Sequence, residues 1–397
     1  MIRVCMVVYT FPPLYGGAGR QALRLAAYLQ RRGVSASVLT ARRHRGLPPK
    51  ESLDGIPVVR LNVPGFRRLQ PLFFFLTASC YLLRHGRLYD VFHIHGAYLR
   101  VIPVVVVGRL LGKKTVVKMT SQGTDDPASS RKRRLGTLLL WALGQADAVV
   151  SVSRDMSAVY RESDLPHEKL VEIPNGVLTD VFCPPSADER SRIRDRLNLP
   201  QDAEIAVFVG FVGYQKGADT LLLAWRRVIE RRPGACLLLL GPLREDAPEG
   251  SPSMHALVTR STRTLLLGQK DNVHEYLKAS DVFVQPSRLE GLSNALLEAM
   301  STGLACVASN IVGMGEAIQH GQDGLLFPPG ETDALADSIL KLLADDEKRL
   351  TLGTRAREKT MAKFSIDAVA DRYASLYMRL LGPAEKIAGR SGRTVEK

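Results

Sequence analysis

Cysteine, aromatic residues and long apolar runs are all scarce in this 397-residue chain, and each shortage removes a class of protein. The five cysteines (Cys5, Cys80, Cys183, Cys236 and Cys306) are odd in number, widely separated and free of any C-x-x-C or Cys/His spacing. That usage argues against a disulfide framework and a structural zinc, and it fits a reducing cytoplasm. Aromatic residues make up 6% of the chain and do not interleave with basic ones, so no base-stacking nucleic-acid surface is expected. No apolar run outside the strand-like segments approaches the ~20 residues that span a bilayer. The longest, residues 72–83, includes Thr77 and Ser79. The opening run from Met1 to Tyr9 reads as a buried strand that turns at Pro12-Pro13, not as a secretory leader. Repeats and low-complexity tracts are missing as well, which leaves a globular chain with disorder expected only in a flexible tail, 383–397.

Acidic residues are short in one half only. Residues 1–180 hold 26 Lys and Arg against 12 Asp and Glu, whereas 181–397 hold 28 of each, so the whole formal charge of +14 lies in the first half. Such a field implies an anionic partner for that half: nucleic acid, an anionic membrane or a phosphorylated acceptor. A merely solvated basic surface is the plain alternative.

What the chain does have is length and periodicity. It exceeds one ordinary core, so two domains of roughly 150–200 residues are expected. Continuous β-branched runs alternate with helical patterns, as in a parallel sheet covered on both faces. One series comprises 4–9, 35–40, 58–62, 91–95, 115–119 and 148–152, with helices near 20–31 and 135–144. A second comprises 205–209, 236–240, 264–267, 282–285 and 305–308, with helices near 217–231, 273–278 and 295–300. The expected fold class is α/β, two Rossmann-like doubly wound parallel-sheet domains facing a cleft. Pro174-Asn175-Gly176 and Pro184-Pro185 punctuate the boundary, giving domains 1–182 and 183–364.

Four segments carry chemistry. Gly16-Gly17-Ala18-Gly19 opens a helix after the first strand, where backbone N–H groups could approach a phosphate or sugar. Read from Gly17 and Gly19, Ala22 completes a dinucleotide-like spacing, but the long lag after the strand and the missing ribose acid leave a tight turn as an equal reading. In the second domain, Gly210-Phe-Val-Gly-Tyr-Gln-Lys216-Gly217 places an ammonium and several backbone donors at a strand's carboxyl end, which suits a diphosphate. Further on, Glu290 and Glu298 bracket Gly291-Leu292-Ser293-Asn294 at the start of a helix. If that stretch is helical, the acids lie at most about 12 Å apart along the axis, enough to grip both ends of a sugar nucleotide. Glu298 could take vicinal ribose hydroxyls, Glu290 the sugar, and the free N–H groups between them the diphosphate. A helix-start charge preference is the alternative. Finally, His93 and His95 end a strand, where function collects, although histidines satisfied by backbone bonds are as common there.

Taken together, Gly16-Gly17, Asp90-Val-Phe-His-Ile-His95-Gly96, Ile173-Pro-Asn-Gly-Val177, Val209-Gly210 through Lys216-Gly217, Pro286-Ser287 through Glu298-Ala-Met300, and Gly324-Leu-Leu-Phe-Pro328 resemble the retaining glycosyltransferases of the family-four type, glycosyl transferases group 1. The motifs span nearly the whole chain in the family's order. The resemblance implies a GT-B architecture, with an acceptor-binding first domain, a donor-binding second one, and a last helix, about 365–382, crossing back to the first. It makes Glu298 the ribose-binding acid, Glu290 the acid touching the donor sugar and Lys216 the diphosphate clamp. Gly210, Gly291, Leu292, Ser293 and Asn294 join the donor site, Gly268-Gln269-Lys270 lies beside the base, and Gly16 and Gly17 close over the donor. A nucleoside-diphosphate sugar, UDP- or GDP-linked, is then a substrate rather than a cofactor. No Asp-x-Asp sits in a donor-domain loop and the architecture generally works without metal, so no essential divalent ion is expected.

Two departures from the family stand out. Phe211 replaces the arginine usual after Gly210, so leaving-group stabilisation is expected to lean on Lys216 or Arg288. Gln122 takes the place of a usual histidine and cannot act as a general base. Gln122 and His95 complete the catalytic candidates with Glu290 and Lys216, and Asp125 and Asp126 are candidates for acceptor binding. For the acceptor, Arg67-Arg68, the run Leu72-Phe73-Phe74-Phe75-Leu76, Arg84, Arg87 and Arg131-Lys132-Arg133-Arg134 could seat the first domain on anionic lipid, unless the phenylalanines are core. A saccharide acceptor, lipid-linked and used in envelope or exopolysaccharide assembly, follows, as does a cytoplasmic protein peripheral at the membrane's inner face. A catalytically silent sugar-nucleotide scaffold and a sugar-nucleotide epimerase of the same architecture are the rival readings.

Overall fold

A computed structural model describes residues 1–382 other than 15, 65–69, 100, 122 and 133–134, and gives only the backbone at 72 and 75. Gln122, Arg67-Arg68, Arg133-Arg134 and the tail 383–397 lie outside the described residues. The chain divides into two units, Met1–Gly176 with the chain from Ile366 onward, and Val177–Ser365.

The first unit is built on eight strands: β1 (Ile2–Val7), β2 (Val34–Arg42), β3 (Lys50–Leu53), β4 (Ile56–Asn62), β5 (Val91–His95), β6 (Lys114–Lys118), β7 (Ala148–Ser151) and β8 (Leu170–Glu172). Their order is β3-β4-β2-β1-β5-β6-β7-β8, parallel throughout except for β3. The central strands are buried along their length, as their β-branched composition requires when helices cover both faces. β3 and β8 were not expected. β3 is polar and short, yet it pairs with β4 through Asp54-Gly55, both at positive φ (51° and 77°), a two-residue hairpin turn whose Asp-Gly signal is legible in the sequence. The helix Ile366–Leu381 closes this unit. Its Val369, Ala370, Tyr373 and Tyr377 repeat at helical spacing and share one core with Val4, Met6, Phe11 and Leu25.

The second unit carries β9 (Ile205–Val209), β10 (Cys236–Leu240), β11 (Thr264–Gly268), β12 (Val282–Gln285), β13 (Ala305–Ser309) and β14 (Leu325–Phe327), all parallel in the order β11-β10-β9-β12-β13-β14. Trp225 and Phe208 sit fully buried in its core. The boundary lies six residues before the expected one. Val177 N donates to Phe364 O at 2.9 Å, and Phe182 O accepts from Ser301 Oγ at 2.6 Å, so 177–182 belong to this unit. No helix among the described residues is long and apolar enough to cross a membrane.

Both sheets reverse their winding once, between β1 and β5 in the first unit and between β9 and β12 in the second. In open parallel sheets, ligands bind outside the carboxyl ends of the two strands flanking that reversal.

Candidate functional site

The loops leaving β9 and β12 meet above the reversal in the second sheet. Lys216 ends a short 3₁₀ turn, and Gly217 follows at φ 68°, a left-handed conformation that glycine adopts without strain. A Cβ on Gly217 would lie 1.8 Å from the Pro286 carbonyl oxygen, so only glycine lets the two loops touch. Arg288 N reinforces the contact by donating to Gln215 O at 3.0 Å. The result is an ion pair between the Lys216 ammonium and the Glu290 carboxylate, both largely shielded from solvent. Two motifs singled out separately in the sequence thus become one polar centre.

Arg288 does not share that centre. Its guanidinium donates to both carboxylate oxygens of Asp219 (2.7 and 2.8 Å), to Tyr214 O (2.6 Å) and to Thr220 Oγ1 (3.1 Å), and it stacks on the Tyr214 ring at 3.8 Å. The hydrogen bonds to Asp219 raise its pKa above the usual arginine value. The expectation that Arg288 supports a leaving group is therefore corrected: it clamps the Glu290 loop to the helix Ala218–Arg231.

Beneath the ion pair runs a buried polar chain that sequence reasoning missed. Ser293 Oγ donates to Gln285 Oε1 (3.1 Å) and Gln285 Nε2 donates to Ser287 Oγ (2.9 Å). A glutamine ending an otherwise apolar strand was the available signal. Ser293 also caps the helix Asn294–Ser301, accepting from Leu296 N at 3.3 Å, so that helix points its N-terminus at the Glu290 loop. Leu292 is buried, and Glu298 lies in the second turn of the helix at 7% exposure. Gly313, at φ 81°, was also not anticipated. A Cβ there would meet Gly291 O at 1.5 Å, so the loop after β13 presses directly on the Glu290-Gly291 turn.

On the other side of β9, Gly210 N donates to Leu240 O, and the Arg244 guanidinium covers the Phe211 ring, 3.2 Å from its centroid. Gly268 O accepts from Gly241 N at 2.8 Å, which places Gly268-Gln269-Lys270 on the same edge of the sheet. They lie two strands from β9, about 10 Å away at ordinary strand spacing.

In the first unit, Gly16 is the N-cap residue and Gly17 opens the helix Gly17–Gln30. The position that demands glycine is Gly19, whose Cβ would meet Thr10 O at 2.3 Å. Gln21, from the same helix, is buried and exchanges two hydrogen bonds with the Gly176 backbone (2.7 and 3.2 Å). His95 is 1% exposed and lies 4.3 Å from the His93 ring, which in turn hydrogen-bonds Tyr377 Oη at 2.8 Å. Asp126 is consumed by its own loop and Asp125 by its own loop together with the loop after β5, which corrects their assignment to acceptor binding. Asp125, pushed upward by burial, accepts from Ala97 N, Thr120 N, Thr120 Oγ1 and Ser121 N. Asp126 caps the helix Pro127–Arg131 through Ser129 N at 2.8 Å.

Two family models match this chain: "Glycosyl transferase 4-like domain" over residues 16–176 and "Glycosyl transferases group 1" over residues 189–359. The sequence is 25% identical over 375 residues to the N-acetyl-alpha-D-glucosaminyl L-malate synthase of Bacillus anthracis, covering 93% of this chain and 95% of that one. It is 26% identical over 336 residues to the UDP-Gal:alpha-D-GlcNAc-diphosphoundecaprenol alpha-1,3-galactosyltransferase of Escherichia coli, covering 82% and 83%. The fold superposes on that of Anabaena HepE, solved in complex with UDP and glucose, with a TM-score of 0.78 at 19% identity, covering 95% of this chain and 99% of that one.

Proposed function

The chain belongs to the glycosyl transferases group 1 and has the GT-B fold, and on that premise we propose that it moves a hexose-type sugar from a UDP- or GDP-linked donor to a hydroxyl of a saccharide acceptor, with retention at the anomeric carbon. The observation that carries this reading is the Lys216–Glu290 pair at the carboxyl edge of β9 and β12, facing the capped N-terminus of Asn294–Ser301. Lys216 and the helix N-terminus bind the donor diphosphate. Glu290 faces the sugar, Glu298 takes the ribose, Gly291, Leu292, Ser293 and Asn294 offer main-chain donors, and Gly268-Gln269-Lys270 borders the base. As the bond from the anomeric carbon to the diphosphate oxygen breaks, positive charge grows on the sugar and negative charge on the leaving group. Lys216 and the helix dipole oppose the second, and the acceptor oxygen attacks from the same face. In this reading the leaving charge is met without a divalent ion.

A panel of UDP- and GDP-sugars in thermal-shift measurements tests the donor site. At about 100 times its dissociation constant, the true donor stabilises the fold by roughly 2.7 kcal/mol. The shift is expected to disappear in Glu298→Ala and to be unchanged by EDTA. If no sugar nucleotide shifts the wild type, the assignment is wrong.

A lipid-linked acceptor presented at an anionic membrane is the second part of the proposal. The helix Gln70–His85 buries Phe74 but turns Phe73, Leu76 and Leu83 outward, each at least 40% exposed, and the helix Gly136–Gln145 exposes Leu138 and Trp141. Both helices pack on Val101–Leu110, so their outward faces belong to one layer, with Arg84, Arg87 and Lys132 exposed on or beside it. An apolar face among cations suits an anionic lipid surface. Co-sedimentation with phosphatidylglycerol vesicles is expected for the wild type and to fall several-fold in the Phe73→Glu, Trp141→Glu double variant. Equal sedimentation of the two proteins would remove this part.

A further inference from the structure

The last strand and the closing helix of the first unit leave a groove of about 380 Å³ between them, at the edge of the sheet and away from its reversal. Its floor is apolar. Val171 in β8 and Ile173 just beyond it turn toward the core that the helix Ile366–Leu381 covers, and Leu376 of that helix meets them there. Glu172 alternates to the opposite face of the sheet, where its carboxylate accepts from Ser157 Oγ at 3.2 Å and lies 3.8 Å from Arg154. β8 ends its sheet, and Ile173 N donates to Ser151 O of β7 at 3.0 Å. The N–H and C=O of Glu172, one residue earlier, therefore point away from β7 along the open edge.

The helix supplies a cationic wall. Arg372, Ser375 and Arg379 follow one another at spacings of three and four residues, so they share one exposed face, with the two arginines about 10.5 Å apart along the axis. The acid beside them, Asp371, is taken by Arg32 at 2.5 Å, and that hydrogen bond holds its carboxyl below the usual range. Arg372 and Arg379 make neither a hydrogen bond nor an ion pair among the described residues. Both acids lining the groove are thus matched outside it, while both of its cations are unmatched. Like charges along one wall of a concave site raise the local concentration of anions, and two guanidinium forks set either side of a serine can close on a single phosphate. The volume lies at the small end of the ligand-pocket range.

We propose that this groove is a second ligand site, in the other unit from the Lys216–Glu290 pair, for a phosphate monoester borne by a small metabolite or by a lipid headgroup. Arg372, Arg379 and Ser375 Oγ hold the phosphate, Val171, Ile173 and Leu376 carry the carbon part, and the Glu172 backbone at the open edge takes a hydroxyl. Such a ligand ties the closing helix to β8, so its binding stabilises the first unit against unfolding.

Calorimetric titration of glycerol 3-phosphate, with glycerol as the neutral control, and co-sedimentation with phosphatidic acid vesicles test it on the full chain. The wild type is expected to bind glycerol 3-phosphate with a Kd of about 1 mM or tighter, or to bind the vesicles, and not to bind glycerol. The first result marks a soluble metabolite as the source of the phosphate, and vesicle binding alone marks a lipid headgroup. The Arg372→Ala, Arg379→Ala double variant is expected to lose about tenfold, and the corresponding double lysine variant, which keeps charge without the forks, about threefold. Ser375→Asp, which leaves both arginines in place and sets an acid between them, is expected to lose about tenfold as well. Lys216→Ala is expected to bind like wild type. If binding is lost in Lys216→Ala and kept in the arginine variants, the phosphate sits in the donor site, and the inference falls while the donor reading stands. Binding of neither probe by the wild type, or equal binding by wild type and Ser375→Asp, overturns it.

Discussion

Lys216→Ala is expected to lower kcat/KM for sugar transfer by about 10²- to 10³-fold, the range seen when one preorganised electrostatic contact to a developing charge is lost. Two effects combine. In the proposed reading the leaving diphosphate loses a charge-assisted partner, and Glu290, only 13% exposed at its side chain, loses the ammonium that pairs with it. Glu290→Gln separates them, because it keeps the shape of the loop and leaves the ammonium in place. That variant should retain donor binding and lose turnover, by about tenfold or more, if Glu290 faces the sugar. Steady-state kinetics with the donor identified by thermal shift make the comparison. A Lys216→Ala enzyme within threefold of wild type would mean that the ion pair is an architectural strut and that the chemistry lies elsewhere.

A second large effect is expected in the pH dependence of stability. Lys118, at the end of β6, is 3% exposed; its ammonium donates to Asn175 Oδ1 at 2.9 Å and lies 5.7 Å from the Tyr373 ring centroid, close to His93. Burial lowers its pKa from 10.5 to about 7. Between those values the unfolded chain carries a proton that the folded chain does not, so stability rises with pH across the window. From pH 7 to pH 10 the gain is about 3–4 kcal/mol. Lys118→Met removes the charge at similar length. Its urea-unfolding free energy, compared with wild type at pH 7 and pH 10, should show an advantage at pH 7 that shrinks by that amount at pH 10. Parallel curves would mean that Lys118 titrates normally. His93 acts in the same sense at acid pH. Burial and the Lys118 charge hold it down to about 3, so stability falls as the pH drops from 6.5 toward that value.

Most strands were legible because a parallel strand buried on both faces has to be a continuous apolar run, and β5, β9, β10 and β12 match their expected bounds. β8 and β14 escaped because three residues at a sheet edge leave no periodicity to read. Lys216 and Glu290 were legible as motifs. Their pairing was not, since it depends on a backbone contact between Gly217 and Pro286 that neither motif reveals alone. Charge by itself also misled at Arg288, Asp125 and Asp126, whose partners, in the fold or within their own loops, were not chosen by any spacing rule. The run 72–76 was ambiguous for a geometric reason. Consecutive helical residues face different directions, so Phe74 reaches the core and Phe73 does not.

Because Tyr373 and Tyr377 belong to the same core as Val4 and Met6, the order of synthesis and the order of folding must differ. The first unit begins to emerge from the ribosome before the second but lacks its closing helix until the 205 residues from Val177 to Leu381 have been added. At ~5–20 residues per second that is a wait of roughly 10–40 s. The unit Val177–Ser365 is continuous and can close in the interval. Translation therefore leaves the β1 sheet with an uncovered apolar face for many seconds, the kind of transiently exposed surface that makes a partly synthesised chain prone to aggregation.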